Sequence, residues 1–132
     1  MKLCFFCNIT DGYNKNKELF FARFDDYPVS PGHCLIISRK HITSFFTFSE
    51  EEINELYQLM VEVKNKLKQE FQPHGFNIGF NEGKAAGQTL DHFHLHIIPR
   101  YEGDVADPRG GIRRIFPDKA DYTKVVPKRV TE

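Results

Sequence analysis

His92, His94 and His96 alternate with Phe93, Leu95 and Ile97. Side chains of an extended chain point alternately to its two faces. The spacing therefore predicts a strand over 91–99 with three imidazoles in a row on one side and an apolar stripe on the other. Three kinds of chemistry suit such a row. It can be structural, provided each buried ring finds a partner that offsets its desolvation. It can hold a metal, since rings at i and i+2 can ligate one ion, as in three-His zinc enzymes. Or one ring can be a nucleophile: an imidazole that donates one N–H to a backbone carbonyl presents its other nitrogen unprotonated and can attack phosphorus without a separate strong base.

Cys4 and Cys7 are a second candidate cluster. Cys-x-x-Cys is ligand spacing for zinc and also redox spacing, but there is no second pair and no βαβ context for a thioredoxin-like role. Two small residues packed under a sheet are the plainer alternative. Cys34 lies inside an apolar run and reads as core.

The elements that must position these residues follow from the rest of the 132-residue chain, a length that suits one domain, 1–132. Residues 18–24 are rich in aromatics and read as a strand, followed by a Pro-Val-Ser-Pro-Gly turn at 28–32. Residues 33–38 form an apolar run of strand length, and the short return makes it an antiparallel neighbour. Ser49-Glu50-Glu51-Glu52 is a capping box that opens a helix over about 49–71. Ile53, Leu56, Tyr57, Met60, Leu67 and Phe71 are its expected apolar face, with Glu55, Glu62, Lys66 and Glu70 left to solvent. Gln72-Pro73-His74-Gly75 stops it, 76–80 is a half-buried strand, and a polar loop leads to the histidines. The tail from 101 is loop-rich, with at most a short strand at 112–116. Together these elements make an α+β domain.

Composition narrows the partners. Eighteen Lys+Arg balance eighteen Asp+Glu, which removes the bulk-charge argument for nucleic acid or an anionic membrane. No apolar stretch approaches the roughly 20 residues of a membrane span, and the N-terminal segment has no signal-peptide pattern. The expected compartment is the reducing cytoplasm. Thirteen Phe must fill much of the core.

The run from Asn81 through Gly87-Gln88-Thr89 and His92-Phe93-His94-Leu95-His96-Ile97-Ile98 to Pro99-Arg100 resembles the signature of the histidine triad family. Pro28-Val29-Ser30-Pro31-Gly32-His33, followed by Leu35-Ile36-Ile37 and His41, resembles that family's other patterned block. The resemblance implies an antiparallel sheet of about five strands and a homodimer across which the sheet continues. It implies cleavage at the α-phosphate of a nucleotide, with adenine nucleotides as expected ligands, through a nucleotidyl-histidine that water then hydrolyses. His94 matches the nucleophile, His92 and His96 flank it, and His33 supports the cluster. Gln88 and Thr89 match residues beside the scissile phosphate, Asn81 one near phosphate and sugar, and Asp25 one on the ribose hydroxyls. The glycine-containing loop ending at Gly87 allows close approach to the phosphate. Some relatives bind structural zinc with a cysteine pair and two histidines, which match Cys4, Cys7, His41 and His92. Where this chain has Arg23, an aromatic or aliphatic residue is usual.

Ala86-Gly87-Gln88-Thr89 and Pro99-Arg100 look most like members that hydrolyse dinucleoside polyphosphates. A nucleoside phosphoramidate hydrolase, a metal-dependent enzyme that holds zinc in the His row, and a non-catalytic nucleotide-binding module are the alternatives. Arg109, Arg113 and Arg114 in the tail are either solvated surface charges or a source of contacts to distal phosphates.

Overall fold

The computed structural model describes residues 18–128; Cys4 and Cys7 lie outside them. Within the described residues, 18–101 and 102–128 are separate compact units.

Within the first unit, β1 Phe20–Phe24, β2 Cys34–Ser38, β3 Gly75–Gly79 and β4 His94–Arg100 form an antiparallel sheet in the order β1-β2-β4-β3. The one long helix, α1 Glu50–Phe71, carries the chain from β2 to β3. The α+β class and the helix are as expected, and the described residues supply four strands against about five anticipated.

Alternation divides the sheet's side chains into two sets. Phe20, Ala22, Cys34, Ile36, Leu95 and Ile97 join Leu56, Leu59, Val63 and Leu67 of α1 in the main core. On the opposite face Phe21, Leu35 and Ile37 form a small cluster with Leu90. Register then fixes the rest of that face: Phe21 pairs with Ile37 and Ile37 with His94, while Arg23 pairs with Leu35 and Leu35 with His96.

The capping box is present in full: Ser49 Oγ accepts from Glu52 N–H at 3.2 Å and Glu52 Oε1 accepts from Ser49 N–H at 2.8 Å. The helix's apolar face differs from expectation. Its buried residues follow 56, 59, 63 and 67, so Tyr57, about 100° around the helix from Leu56, is 63% exposed. Glu55 is not left to solvent, because its carboxylate accepts Leu19 N–H at 2.8 Å and ties the helix to the start of β1. At the C-terminal end Gln72 adopts the left-handed conformation (φ 53°) and its N–H donates to the Lys68 carbonyl, so the αL cap falls on a non-glycine residue ahead of Pro73.

The short strand expected at 112–116 is instead a 3₁₀ helix, Gly111–Ile115. Gly110 (φ 88°) and Gly111 (φ 48°) turn the chain where a strand would need extended backbone. In this unit Arg109 bonds Asp107 at 3.0 Å and pairs with Asp121 at 3.4 Å. Arg113 donates to the Ala120 and Lys119 carbonyls, and Arg114 to the Asp107 carbonyl. All three arginines thus brace their own segment.

Gly32 closes the turn that feeds β2. Its φ is +88°, and a Cβ there would lie 3.0 Å from Phe71 Cδ2 and 3.2 Å from Pro99 Cγ. Gly32→Ala therefore combines backbone strain with overpacking, and denaturant unfolding should show a loss of about 2 kcal/mol.

Candidate active site

The turn at 28–32 is held down at several points before it delivers His33. Ser30 Oγ donates to the Pro99 carbonyl and Tyr101 Oη to the Pro31 carbonyl, both at 2.7 Å. His33 N–H closes the turn onto the Ser30 carbonyl at 3.2 Å, and the His33 carbonyl accepts Asp25 N–H at 2.9 Å. The buried His33 ring is thereby fixed under the start of β2.

Its partners assign its proton. Val29 N–H donates to His33 Nδ1 at 3.1 Å, so the hydrogen of the neutral ring sits on Nε2. That nitrogen donates to His96 Nδ1 at 2.9 Å, with Asp25 Oδ2 at 3.5 Å. Since His96 accepts at Nδ1, its own hydrogen is on Nε2. A backbone amide thus sets the direction of a two-ring hydrogen-bond chain that ends at β4. Burial lowers the pKa of His33 against the opposing Asp25 charge. It lowers that of His96 to about 4, with help from His94 and His33.

His94 is oriented differently. Its Nδ1–H donates to the His92 carbonyl at 2.9 Å, which leaves the lone pair of the neutral ring on Nε2. His94 and His96 rings lie 5.3 Å apart. The His92 carbonyl can accept this bond because His92 precedes β4, which begins at His94. His92 is therefore not a strand residue as expected. Its ring is fully buried, donates from Nε2 to the Ser38 carbonyl at 2.6 Å and stands at 89° to the His41 ring, centroids 5.1 Å apart. Burial lowers its pKa, and the Ser38 bond opposes the shift.

A cavity opens over this face, with His94, His96, Asp25 and Thr89 in its wall, and with Leu35, Leu90, Arg23, Asp26 and Tyr27 completing it. Gln88 is buried and committed elsewhere: its Oε1 accepts Gly83 N–H at 2.9 Å and its Nε2 donates to the Thr43 carbonyl at 3.0 Å, so it braces the 83–88 loop. Gly87 lies in that loop with φ +93°, and Asn81 is exposed beside it, its amide nitrogen 4.0 Å from where a Gly87 Cβ would be. Asp25 Oδ1 accepts Tyr27 N–H at 2.8 Å.

The HIT domain model matches residues 10–103. The chain belongs to the histidine triad (HIT) family. An uncharacterized 16.1 kDa HIT-like protein of Mycoplasma pneumoniae is 38% identical over 104 residues, 75% of this chain and 72% of that one. The bis(5'-adenosyl)-triphosphatase of Dictyostelium discoideum is 33% identical over 87 residues, 66% of this chain and 58% of that one. Among solved structures, a HIT family protein from Bacillus anthracis superposes with a TM-score of 0.69 at 36% identity, covering 76% of this chain and 75% of its own. A Zn-bound histidine triad family protein from Mycobacterium smegmatis does so with 0.68 at 29%, covering 79% of each.

Asp25, His33 and His96 each offer a ligand atom, all within 4.8 Å of one another, yet the HIT site is not arranged for a metal there. While Val29 N–H faces Nδ1, His33 Nε2 carries a hydrogen and is a donor, and ligation needs a lone pair. What sequence reasoning left out are the groups that set tautomers, Val29 N–H and the Ser38 carbonyl. Backbone partners have no side-chain signature, and only the turn and strand pattern around them signalled their place.

His96 gives a pH signature. An unfolded imidazole titrates near 6.5, whereas His96 in the fold stays neutral to about 4. Between those values the unfolded chain binds the extra proton, so stability falls as the pH is lowered through that window. His33 and His92 act in the same direction. Unfolding free energies at pH 7.5, 5.5 and 4.5 should decline progressively, and His96→Gln should make the decline shallower.

Proposed function

We infer that this HIT protein is a nucleotidyl hydrolase that cleaves dinucleoside polyphosphates at the α-phosphate through a covalent intermediate on His94. The bond from His94 Nδ1–H to the His92 carbonyl carries the reading, because it leaves the Nε2 lone pair on a ring in the cavity wall. The family contains nucleotide hydrolases, the Dictyostelium triphosphatase among the relatives.

In this reading His94 Nε2 attacks phosphorus, an N–P bond forms, and the bond to the bridging oxygen breaks with its electron pair going to the leaving polyphosphate. The imidazolium so formed keeps its Nδ1–H on the His92 carbonyl. His96 Nε2–H hydrogen-bonds the departing oxygen, Thr89 lies beside the phosphate, and Asp25 takes the ribose hydroxyls. Gln88, Gly87 and Asn81 shape the approach loop. Water then attacks the same phosphorus and releases one proton to solvent, the N–P bond breaks with its electron pair returning to Nε2, and a nucleoside monophosphate leaves with neutral His94 restored.

The Ala86-Gly87-Gln88-Thr89 and Pro99-Arg100 segments support this class over phosphoramidates.

His94→Ala should fold and bind nucleotide but lose turnover by on the order of 10⁴-fold. Activity within tenfold of wild type overturns the assignment, and an acid-labile nucleotidyl adduct mapped to His94 supports it. Wild type should also turn over a dinucleoside polyphosphate faster than the matching phosphoramidate.

Structural zinc belongs to the same proposal. His92 fits the role of ligand: its Nε2 donates to the Ser38 carbonyl and so presents Nδ1, the usual arrangement of a metal-bound histidine with an outer hydrogen bond. His41 adjoins it, and Cys4 and Cys7 would supply the other two ligands of a Cys2His2 set that ties the N-terminal segment to the sheet. Elemental analysis should find one zinc per chain in wild type and a clear loss in Cys4→Ser, with thermal stability falling more than turnover in the mutant.

A further inference from the structure

Arg23 occupies an unusual place for a guanidinium, on a sheet face within a cavity wall. Register carries it there: Arg23 pairs with Leu35 and Leu35 with His96, so it stands in the row of the triad two strand spacings away, about 10 Å. Leu35 and Leu90 line the cavity with it, and Leu35 lies in the row between it and His96. A nucleotide whose phosphorus meets His94 and whose ribose meets Asp25 would run along this row. Its base would cover the two leucines and bring one edge to Arg23.

The Arg23 side chain is 16% exposed and held in one orientation. Its Nε donates to the Phe24 carbonyl at 3.2 Å and its Nη2 to Asp26 Oδ1 at 2.7 Å, while Asp26 is 57% exposed. As a surface ion pair alone this contact would contribute little to stability. As a recognition edge it has a definite pattern, with carboxylate acceptors beside a guanidinium donor. Guanine carries the complement, two adjacent N–H groups at N1 and N2 next to the O6 acceptor. Adenine has an acceptor at N1 and a donor at N6, and no N2 amino group. Arginine donors to guanine O6 are the commonest specific arginine–base contact in nucleic-acid recognition, and the same chemistry applies to a free nucleotide.

We propose that Arg23 and Asp26 form a base-reading edge that selects guanine nucleotides over adenine nucleotides. This rests on the nucleotide-hydrolase reading above and adds to it the identity of the base. Arg23 and Asp26 are specificity residues with no part in the phosphorus chemistry.

Two measurements separate the claims. Direct binding of GMP and AMP to wild type and to His94→Ala, which cannot turn over substrate, tests the edge without catalysis. GMP should bind more tightly by about 5- to 100-fold, the range of one good bidentate base contact. Turnover of guanosine, adenosine and uridine 5'-phosphoramidates, which share one leaving group, should show the same order in kcat/KM. In Arg23→Ala and in Asp26→Ala the guanosine-to-adenosine ratio should fall toward one. Equal affinities for GMP and AMP, a preference for uridine, or an unchanged ratio in both variants overturns the base assignment and leaves the hydrolase reading standing. Failure to bind either mononucleotide overturns both. Selective GMP binding with no turnover of any nucleotide supports the edge and overturns the hydrolase reading alone.

Discussion

The bond from His94 Nδ1–H to the His92 carbonyl is the constraint on which the site depends. An imidazole has one hydrogen to place when neutral, and a carbonyl two residues back takes it at 2.9 Å. The other nitrogen then carries the lone pair and faces its surroundings as an acceptor. The arrangement needs a strand that begins at His94 and not before, since within a regular ladder that carbonyl would be drawn toward a neighbouring strand. The bend at Asp91 and His92 therefore has a chemical consequence: it releases one backbone acceptor to fix one tautomer.

The same economy governs the rest of the cluster. His33 and His96 share one hydrogen bond whose direction is decided by Val29 N–H, and His92 is fixed by the Ser38 carbonyl. In each chain of contacts a main-chain group at a turn or strand end sets what the side chains can do. This explains why the 28–32 turn is tied to the end of β4 by the bonds from Ser30 Oγ to the Pro99 carbonyl and from Tyr101 Oη to the Pro31 carbonyl. A shift of the turn would move Val29 N–H and release His33 to the other tautomer, so packing beneath the turn reaches the chemistry through a proton position.

Much of this was legible in the sequence, and the reasons differ by element. Strand alternation placed His94 and His96 opposite Leu95 and Ile97, and the capping box at Ser49 located the helix start, because both are local patterns. The phase of α1 was misjudged at Tyr57 and Glu55. Several apolar phases coexist in a sequence with Ile53, Tyr57, Leu59 and Val63, and only contact with β1 and the sheet chooses among them. The Gly110-Gly111 turn overrode the strand pattern at 112–116 through backbone geometry that hydrophobicity does not report. His92 was placed in register by alternation, but its burial beside His41 depends on segments far apart in the chain.

Register also makes the face of the sheet a ruler. Across β1, β2 and β4, Phe21–Ile37–His94 and Arg23–Leu35–His96 form parallel rows. The first row is apolar up to the histidine, with Phe21 and Ile37 buried in the small cluster with Leu90. The second ends in a guanidinium at the cavity wall. A ligand anchored at the histidines thus meets two different ends along two adjacent rows, one offering only contact and the other hydrogen-bond donors. Sliding β1 by one residue would send Arg23 into the helix-packed core and bring Ala22 or Phe24 to the cavity. Burying that charge would cost far more than the exchange returns, so Arg23 itself enforces the register that brings it to the cavity.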